Sequence, residues 1–171
     1  MERSGRNDLL RIRRPGPIQV HIGDAVVSLR DQGPLHKGHA RFPKGYSFED
    51  LIESLNRRIF FWPGTAAGPI SYGIRHFGTY TKEKPAILRV ELEALLIANP
   101  AVMPRYCKYN SGSPRCSNGV KSPRGPDTFL LAGECDGTPS SVVEVTFDTE
   151  ILLPPNTEYG NHPSGPWDRL L

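Results

Sequence analysis

Glycine and proline interrupt this chain so often that long regular elements are excluded. Each occurs 17 times in 171 residues, about a fifth of the chain together, whereas ordinary globular proteins have roughly 12%. Leucine, isoleucine, valine and phenylalanine supply 42 residues, enough to build a hydrophobic core. We therefore expect one domain of ordinary size with much of its length in loops and turns.

This composition excludes several classes of protein. Helical bundles, coiled coils and collagen-like rods need longer or more strictly periodic segments than the chain contains. No apolar run approaches the roughly 18 residues of a membrane span. The polar, basic start does not resemble a secretion signal, so we expect a cytoplasmic protein with no membrane partner. The common nucleotide-binding and hydrolase fingerprints are also missing from the sequence.

Cysteine and histidine do not predict a metal centre. The three cysteines, Cys107, Cys116 and Cys135, include no C-x-x-C pair, so neither a zinc ribbon nor a disulfide scaffold is expected. His36 and His39 are three positions apart, but the glycines and the proline around them exclude a helical face. We expect no bound metal.

Local patterns predict short strands that alternate with short helices. A β-hairpin is expected at 17–30, where Gly23 and Asp24 form the turn. Ser47 is expected to cap a helix with apolar side chains three and four residues apart. Further strands are predicted at 59–62, 86–92, 141–147 and 151–153, and further helices at about 65–77 and 92–99.

This order of elements is typical of a small α+β domain. We expect a short, split, mostly antiparallel sheet flanked by two or three helices and by long loops rich in glycine and proline. The domain is predicted to span residues 17–153. Residues 1–16 are expected to form a basic N-terminal tail, and residues 154–171 a tail rich in proline and glycine.

Positive charge is concentrated in one stretch of the chain. Residues 101–125 contain five basic side chains and no acidic one, whereas residues 126–171 have a formal charge of −7. Fixed cations favour polyanions, so residues 101–125 are a candidate phosphate-contacting surface. The alternative is a solvated loop whose charges keep it out of the core.

Glu144 is the first candidate for chemistry because it interrupts an apolar stretch with β-strand character. A lone carboxylate in such a strand costs desolvation free energy unless it is paired or lines a cleft. In a cleft it can hold a ribose hydroxyl and stabilise an oxocarbenium-like centre. The alternative is an edge strand whose polar face meets solvent.

The aromatic run Phe60, Phe61 and Trp62 is the second candidate. Successive side chains of a strand point to alternate faces, so one of these rings can stack on a flat ligand such as a base or a nicotinamide. The alternative is that the rings pack in the core.

Two glycine-containing loops and an early arginine are candidates for anion binding. The Asn110-Ser111-Gly112 turn can direct backbone N–H groups toward an anion, and an arginine can bind phosphate with two hydrogen bonds. The alternative for each is an ordinary turn with a surface cation. The basic side chains assigned to phosphate in this way are Arg30, Arg115, Lys121 and Arg124.

Several motifs resemble those of an uncharacterised bacterial domain family over roughly residues 25–155. They are Arg30-Asp31-Gln32-x-Pro34-Leu35, Leu55-Asn56-x-Arg58-Ile59-Phe60-Phe61-Trp62-Pro63-Gly64-Thr65, Tyr109-Asn110-Ser111-Gly112-x-Pro114-Arg115, Ser122-Pro123-Arg124-Gly125-x-x-Thr128-Phe129 and Val143-Glu144-Val145.

More distantly, the order of the motifs is similar to that of DarT-type ADP-ribosyltransferases, which use NAD and modify nucleic acid. Residues 59–62 match the aromatic strand of those enzymes, and Val143-Glu144-Val145 matches the strand that carries their catalytic glutamate. The resemblance implies an ADP-ribosyltransferase-like fold, NAD as co-substrate and a nucleic acid as acceptor. It also implies a toxin or phage-defence effector, with an antitoxin or another partner protein.

The resemblance assigns a role to each candidate residue. Glu144 is the expected catalytic residue, and Phe61 or Trp62 is expected to stack on the nicotinamide. The other expected NAD-binding residues are Arg30, Arg58, Asn110, Ser111 and Arg115. Lys121 and Arg124 are expected to contact the acceptor or a phosphate.

The sequence departs from the DarT pattern at its start, and this departure keeps a second function open. The early histidine strand of those enzymes has no counterpart here. The alternative is therefore a non-catalytic module that binds nucleic acid or a nucleotide. A third possibility is a domain that works only with a partner chain.

Overall fold

The computed structural model describes residues 4–136, 138–148 and 150–170. Residues 1–3 and 171, which belong to the two predicted tails, lie outside the described residues. The chain forms two compact units. The first unit contains the described residues up to Arg58 together with Asn110–Thr128, and the second contains Ile59–Tyr109 together with the described residues from Phe129 onward.

Short helices and small, mostly antiparallel sheets make up the described residues, so the predicted α+β class is confirmed. The α-helices are Phe48–Asn56 (α1), Ser71–Tyr80 (α2) and Leu92–Ala98 (α3). The strands are Ile18–Ile22 (β1), Ala25–Leu29 (β2), Ala40–Arg41 (β3), Ile59–Phe61 (β4), Gly64–Thr65 (β5), Gly68–Pro69 (β6), Ile87–Arg89 (β7), Arg105–Cys107 (β8), Cys116–Ser117 (β9), Val120–Pro123 (β10), Glu144–Phe147 (β11), Glu158–Gly160 (β12) and Asp168–Arg169 (β13). Among the residues that the structure describes, no helix has the length and apolar character needed to cross a membrane.

The first unit combines the predicted hairpin with a small mixed sheet. Strands β1 and β2 pair antiparallel around the predicted Gly23-Asp24 turn, with Ile18 opposite Leu29. Strand β10 lies in the middle of a second sheet, parallel to β3 and antiparallel to β9. This sheet was not expected, because two-residue strands leave almost no periodic pattern in the sequence.

Helix α1 begins where the sequence predicted. Ser47 accepts a hydrogen bond from the Asp50 backbone N–H at 3.1 Å, and the Asp50 carboxylate accepts one from the Ser47 backbone N–H at 2.8 Å. This capping box satisfies two backbone donors at the helix start. The apolar stripe is buried, as its spacing requires, and consists of Phe48, Leu51, Ile52 and Leu55.

The predicted N-terminal tail 1–16 is instead an anchored segment from residue 4 onward. A short 3-10 helix, Asn7–Leu10, buries Leu9 and Leu10. The Asn56 side-chain amide donates to the carbonyls of both leucines at 3.1 and 2.9 Å. Arg14 donates to the Asn56 side-chain oxygen at 2.9 Å. The density of basic residues suggested a tail, but the two buried leucines and the hydrogen bonds to Asn56 attach the segment to α1.

The second unit is built around a three-stranded sheet in the order β4-β11-β8, antiparallel throughout. Side chains alternate between the two faces of β11. Val145 and Phe147 share one face and form a core cluster with Leu95 of α3. Phe61 packs against this cluster, its ring edge-on to Phe147 at 5.9 Å. The central strand therefore has one face fully committed to the core.

The described residues of the predicted C-terminal tail 154–171 are also part of the fold. Strand β12 pairs with both β7 and β13 in a second antiparallel sheet. Trp167 lies against Arg89, whose guanidinium carbon is 4.5 Å from the ring centroid. The tail prediction failed because the partner strand β7 is about 70 residues away in sequence, beyond any local pattern.

The predicted strand 151–153 is replaced by contacts to one asparagine side chain. The Leu152 N–H donates to the Asn99 side-chain oxygen at 2.7 Å, and the Asn99 amide donates to the Leu152 carbonyl at 2.8 Å. The Asn99 side chain thus makes the two hydrogen bonds that a neighbouring strand would make, so both backbone groups of Leu152 are satisfied without strand pairing.

Helix α2 begins at Ser71 rather than near Thr65. The intervening residues form a small hairpin of β5 and β6. Gly68 has a φ of +123°, which glycine adopts without strain. A Cβ on Gly73 would lie 3.0 Å from the Trp62 Cβ, so glycine at this position lets α2 approach Trp62 closely.

The capping box gives the first unit a defined acid sensitivity. Hydrogen bonds from Ser47, with further help from Arg11, lower the Asp50 pKa from 3.8 to about 2. Because the folded pKa lies below the unfolded value, this stabilisation is present above about pH 4 and is lost as the pH falls toward 2. We expect urea unfolding to show wild type more stable than Asp50→Ala at pH 6, with a smaller difference at pH 3. A difference that stays constant over this range would contradict the assignment.

Candidate functional site

Glu144 lies at the start of the central strand of the second unit. It is only 3% exposed and is paired in register with Cys107 of β8. Because β11 has a hydrogen-bonded neighbour on each side, the edge-strand alternative is wrong. The carboxylate is therefore buried inside a sheet and is not part of a solvated polar face.

The face that carries Glu144 is the one opposite the core cluster. Thr146 lies on this face and is fully buried. Cross-strand pairing places Cys107, Arg105 and Phe60 on the same face. The Cys107 thiol donates to the Tyr109 carbonyl at 3.1 Å. This side of the sheet thus combines a carboxylate, a hydroxyl, a thiol and a guanidinium, and we call it the polar sheet face.

Phe61, the last residue of β4, and Trp62, which follows it, have different environments. Phe61 is opposite Val145 and packs into the core cluster. Trp62 is half-buried, and its ring is nearly parallel to that of Tyr72, with an interplanar angle of 14° and centroids 6.3 Å apart. Trp62 therefore fits the predicted stacking role better than Phe61.

Tyr72 is a site residue that sequence reasoning missed. It lies in the first turn of α2, and the hairpin at 64–69 brings it back onto Trp62. The helix had been expected to begin near Thr65, which gave no reason to pair the two rings. With a helix predicted to begin at Ser71, the four-residue spacing of Tyr72, His76 and Tyr80 would have placed them on one helix face.

Arg124 binds the backbone carbonyls of two predicted NAD-binding residues, Asn110 and Ser111, and of its neighbour Pro123. Its guanidinium donates to the carbonyls of Asn110 at 3.0 Å, Ser111 at 3.1 Å and Pro123 at 2.8 Å. Arg124 is 3% exposed and Ser111 is fully buried. These hydrogen bonds fix the conformation of the 110–112 turn. The Arg124 N–H groups that make them are directed to backbone carbonyl oxygens.

The remaining predicted cations belong to the first unit and are more accessible. Arg115 and Lys121 are exposed beside β9 and on β10. Arg30 is exposed after β2, and its carbonyl accepts from Arg14 at 3.0 Å. Arg58 donates to the Ser54 carbonyl at 2.8 Å and lines a cavity of about 280 Å³ in this unit.

The predicted site residues are divided between the two units. The second unit contains the predicted catalytic residue and the aromatic pair, which are Glu144, Phe61 and Trp62. The first unit contains the predicted anion-binding residues, which are Arg30, Arg58, Asn110, Ser111, Arg115, Lys121 and Arg124. By sequence the first unit has 14 basic and 8 acidic side chains, and the second has 7 and 10. The units thus differ in formal charge, +6 against −3.

Over the described ranges, no group of three or more histidine, cysteine or acidic side chains is placed to hold a metal ion. The rings of His36 and His39 contact each other, with centroids 5.1 Å apart.

Fold and site together define an α+β protein with a buried carboxylate on a central strand and a stacked aromatic pair at the end of the neighbouring strand. The chain belongs to a family of unknown function (DUF7002), whose model matches residues 1–154. This confirms the predicted membership in an uncharacterised domain family. No curated protein and no solved structure matches the chain, so the likeness to DarT-type enzymes stays a prediction.

The contacts of Arg124 predict a large structural effect. Replacing it by alanine leaves the carbonyls of Asn110, Ser111 and Pro123 without these donors, so Arg124→Ala should lower the free energy of unfolding by about 3 kcal/mol. Arg115→Ala, at an exposed position, should change it by less than about 0.5 kcal/mol. Urea unfolding measures both, and equal effects would contradict the assignment.

Proposed function

We propose that this protein is a cytoplasmic ADP-ribosyltransferase-like enzyme that transfers ADP-ribose from NAD to a macromolecule, with nucleic acid as the expected acceptor. The observation that carries the proposal is the burial of Glu144 on a central strand whose neighbour is the aromatic strand β4. A buried carboxylate is costly, and such groups are concentrated at functional sites. A toxin or phage-defence role with a partner protein such as an antitoxin belongs to the same proposal.

The reaction breaks the bond between the anomeric carbon of the ribose and the nicotinamide nitrogen. The bonding electron pair leaves with the nicotinamide, which becomes neutral, and the ribose acquires oxocarbenium character. An oxygen or nitrogen of the acceptor then bonds to the anomeric carbon and loses a proton. In this proposal Glu144 accepts a hydrogen bond from a ribose hydroxyl and stabilises the developing positive charge.

The aromatic pair supports a flat ligand in the same unit. Trp62 and Tyr72 have nearly parallel rings, and a nicotinamide can stack on such a surface with little loss of rotamer freedom because the rings already contact each other. Arg75 lies over the Tyr72 ring at 4.6 Å. We assign the stacking role to Trp62 with Tyr72 and a core role to Phe61.

The alternative, a non-catalytic module that binds nucleic acid or a nucleotide, is favoured by the charge of the first unit. Its formal charge is +6, and Arg115 and Lys121 are exposed there. Fixed cations of this kind bind phosphate chains without requiring catalysis. Under this alternative Glu144 has no chemical role.

Incubation with labelled NAD and a mixture of RNA, DNA and protein tests the proposal. We expect wild type to transfer the label, and Glu144→Gln to lose at least about 100-fold in rate, because the amide cannot supply the charge. Glu93→Gln, which alters an exposed carboxylate on α3 of the same unit, is the matched control and should match wild type. Neither transfer nor NAD hydrolysis by wild type, or a fully active Glu144→Gln, would refute the enzyme. Binding of nucleic acid without turnover would support the alternative.

A further inference from the structure

Strand β2 has one edge to which no strand is paired in the part of the chain that the structure describes. It pairs with β1 alone and forms a two-stranded sheet in the first unit. Residues 25–28 are all exposed, with Val26 at 60% and Val27 at 36%. An edge strand of this kind offers its backbone N–H and C=O groups to another strand.

The register of the hairpin determines which backbone groups face this open edge. Ile22 and Ala25 close the turn, and the carbonyl of the first residue of such a turn accepts from the N–H of the fourth. Opposed pairs then alternate between hydrogen-bonded and non-hydrogen-bonded along the antiparallel ladder. Every second residue from Ala25 therefore directs its backbone groups to β1, whereas Val26 and Ser28 direct theirs to the open edge.

The open edge lacks the features with which proteins prevent edge strands from pairing. Such strands commonly contain a lysine or another charged side chain, a proline or a bulge. Residues 25–29 contain neither a charged side chain nor a proline, and their pairing with β1 is regular. The sequence therefore favours a neighbouring strand at this edge over solvent.

The charges at the two ends of β2 make this strand complementary to itself. Asp24 precedes β2 and Arg30 follows it, and both are exposed. When two copies pair antiparallel about Val27, Asp24 of each copy lies opposite Arg30 of the other. The same register places Val26 opposite Ser28, so the residues whose backbone groups face outward meet each other. Registers centred on Val26 or on Ser28 also oppose the outward groups, but they separate the charges.

We propose that β2 pairs with β2 of a second copy of this chain, so that the two hairpins form one four-stranded antiparallel sheet about a two-fold axis. Val26 and Ser28 exchange backbone hydrogen bonds between the copies, and Val27 packs against Val27 of the second copy at the axis. The Arg30 carbonyl already accepts from Arg14 at 3.0 Å, so the new ladder ends at Ser28 and only side chains meet beyond it. The interface lies in the first unit and does not depend on the proposed transferase activity.

Sedimentation equilibrium of the full chain at about 1–200 μM tests the interface. We expect the mass of wild type to rise with concentration toward twice the 19.0 kDa of the chain. Asp24→Lys and Arg30→Glu should each weaken the dimer by at least about tenfold, because like charges then face each other at both ends of the strand pair. An equimolar mixture of the two variants should dimerise like wild type, because opposite charges face each other again. Glu93→Lys, which makes the same change of charge at an exposed position on α3, is the matched control and should dimerise like wild type.

Ser28→Pro tests the backbone hydrogen bonds between the copies. Proline removes an N–H that faces the open edge and leaves the groups that bind β1 in place, so the variant should keep the circular dichroism of wild type and stay monomeric. Wild type that remains monomeric over the whole concentration range would overturn the proposal. A dimer that Ser28→Pro and both charge reversals leave intact would also overturn it, as would a mixture of the two charge variants that does not dimerise.

Discussion

Burial of the Glu144 carboxylate in a central strand is the constraint on which the second unit depends. A charge taken out of water raises the free energy of the folded state unless its surroundings compensate. The surrounding sheet is held by ladders on both sides of β11 and by the core cluster of Val145 and Phe147 against α3. One strand therefore supplies the core with one face and the polar sheet face with the other.

Strong local signals predicted part of the fold. Helix α1 has a side-chain cap and an apolar stripe within nine residues, and the hairpin β1–β2 has a turn of two residues. Glu144 stood out because a charge in an apolar run is unusual in any strand. The aromatic run pointed to the correct strand but did not distinguish Phe61 from Trp62, because that choice depends on α2.

Features that depend on distant partners were not predictable. The two expected tails are ordered by contacts such as Asn56 with Leu9 and Trp167 with Arg89, which local periodicity does not reveal. Tyr72 was missed because a hairpin of glycine-containing strands separates it from Trp62. Arg124 looked like a phosphate ligand, and only the folded loop shows its donors directed to backbone carbonyls.

Arginine thus has two different uses in this chain. Arg14 and Arg124 bind backbone and amide oxygens and so order segments that lack regular structure. Arg115 and Lys121 remain at the surface of a strongly basic unit. In a chain with this much glycine and proline, these arginine hydrogen bonds fix the loops in place of the backbone hydrogen bonds of helices and sheets. These loops therefore have defined conformations that belong to the fold.

The central claim of the proposed function is that Trp62, which directly follows β4, stacks on the nicotinamide of NAD. Intrinsic fluorescence during an NAD titration tests it most directly, since the chain has only two tryptophans, Trp62 and Trp167. We predict saturable quenching by NAD in wild type and in Trp167→Phe, and no quenching in Trp62→Phe. Quenching that persists in Trp62→Phe, or its absence from wild type, would contradict the claim.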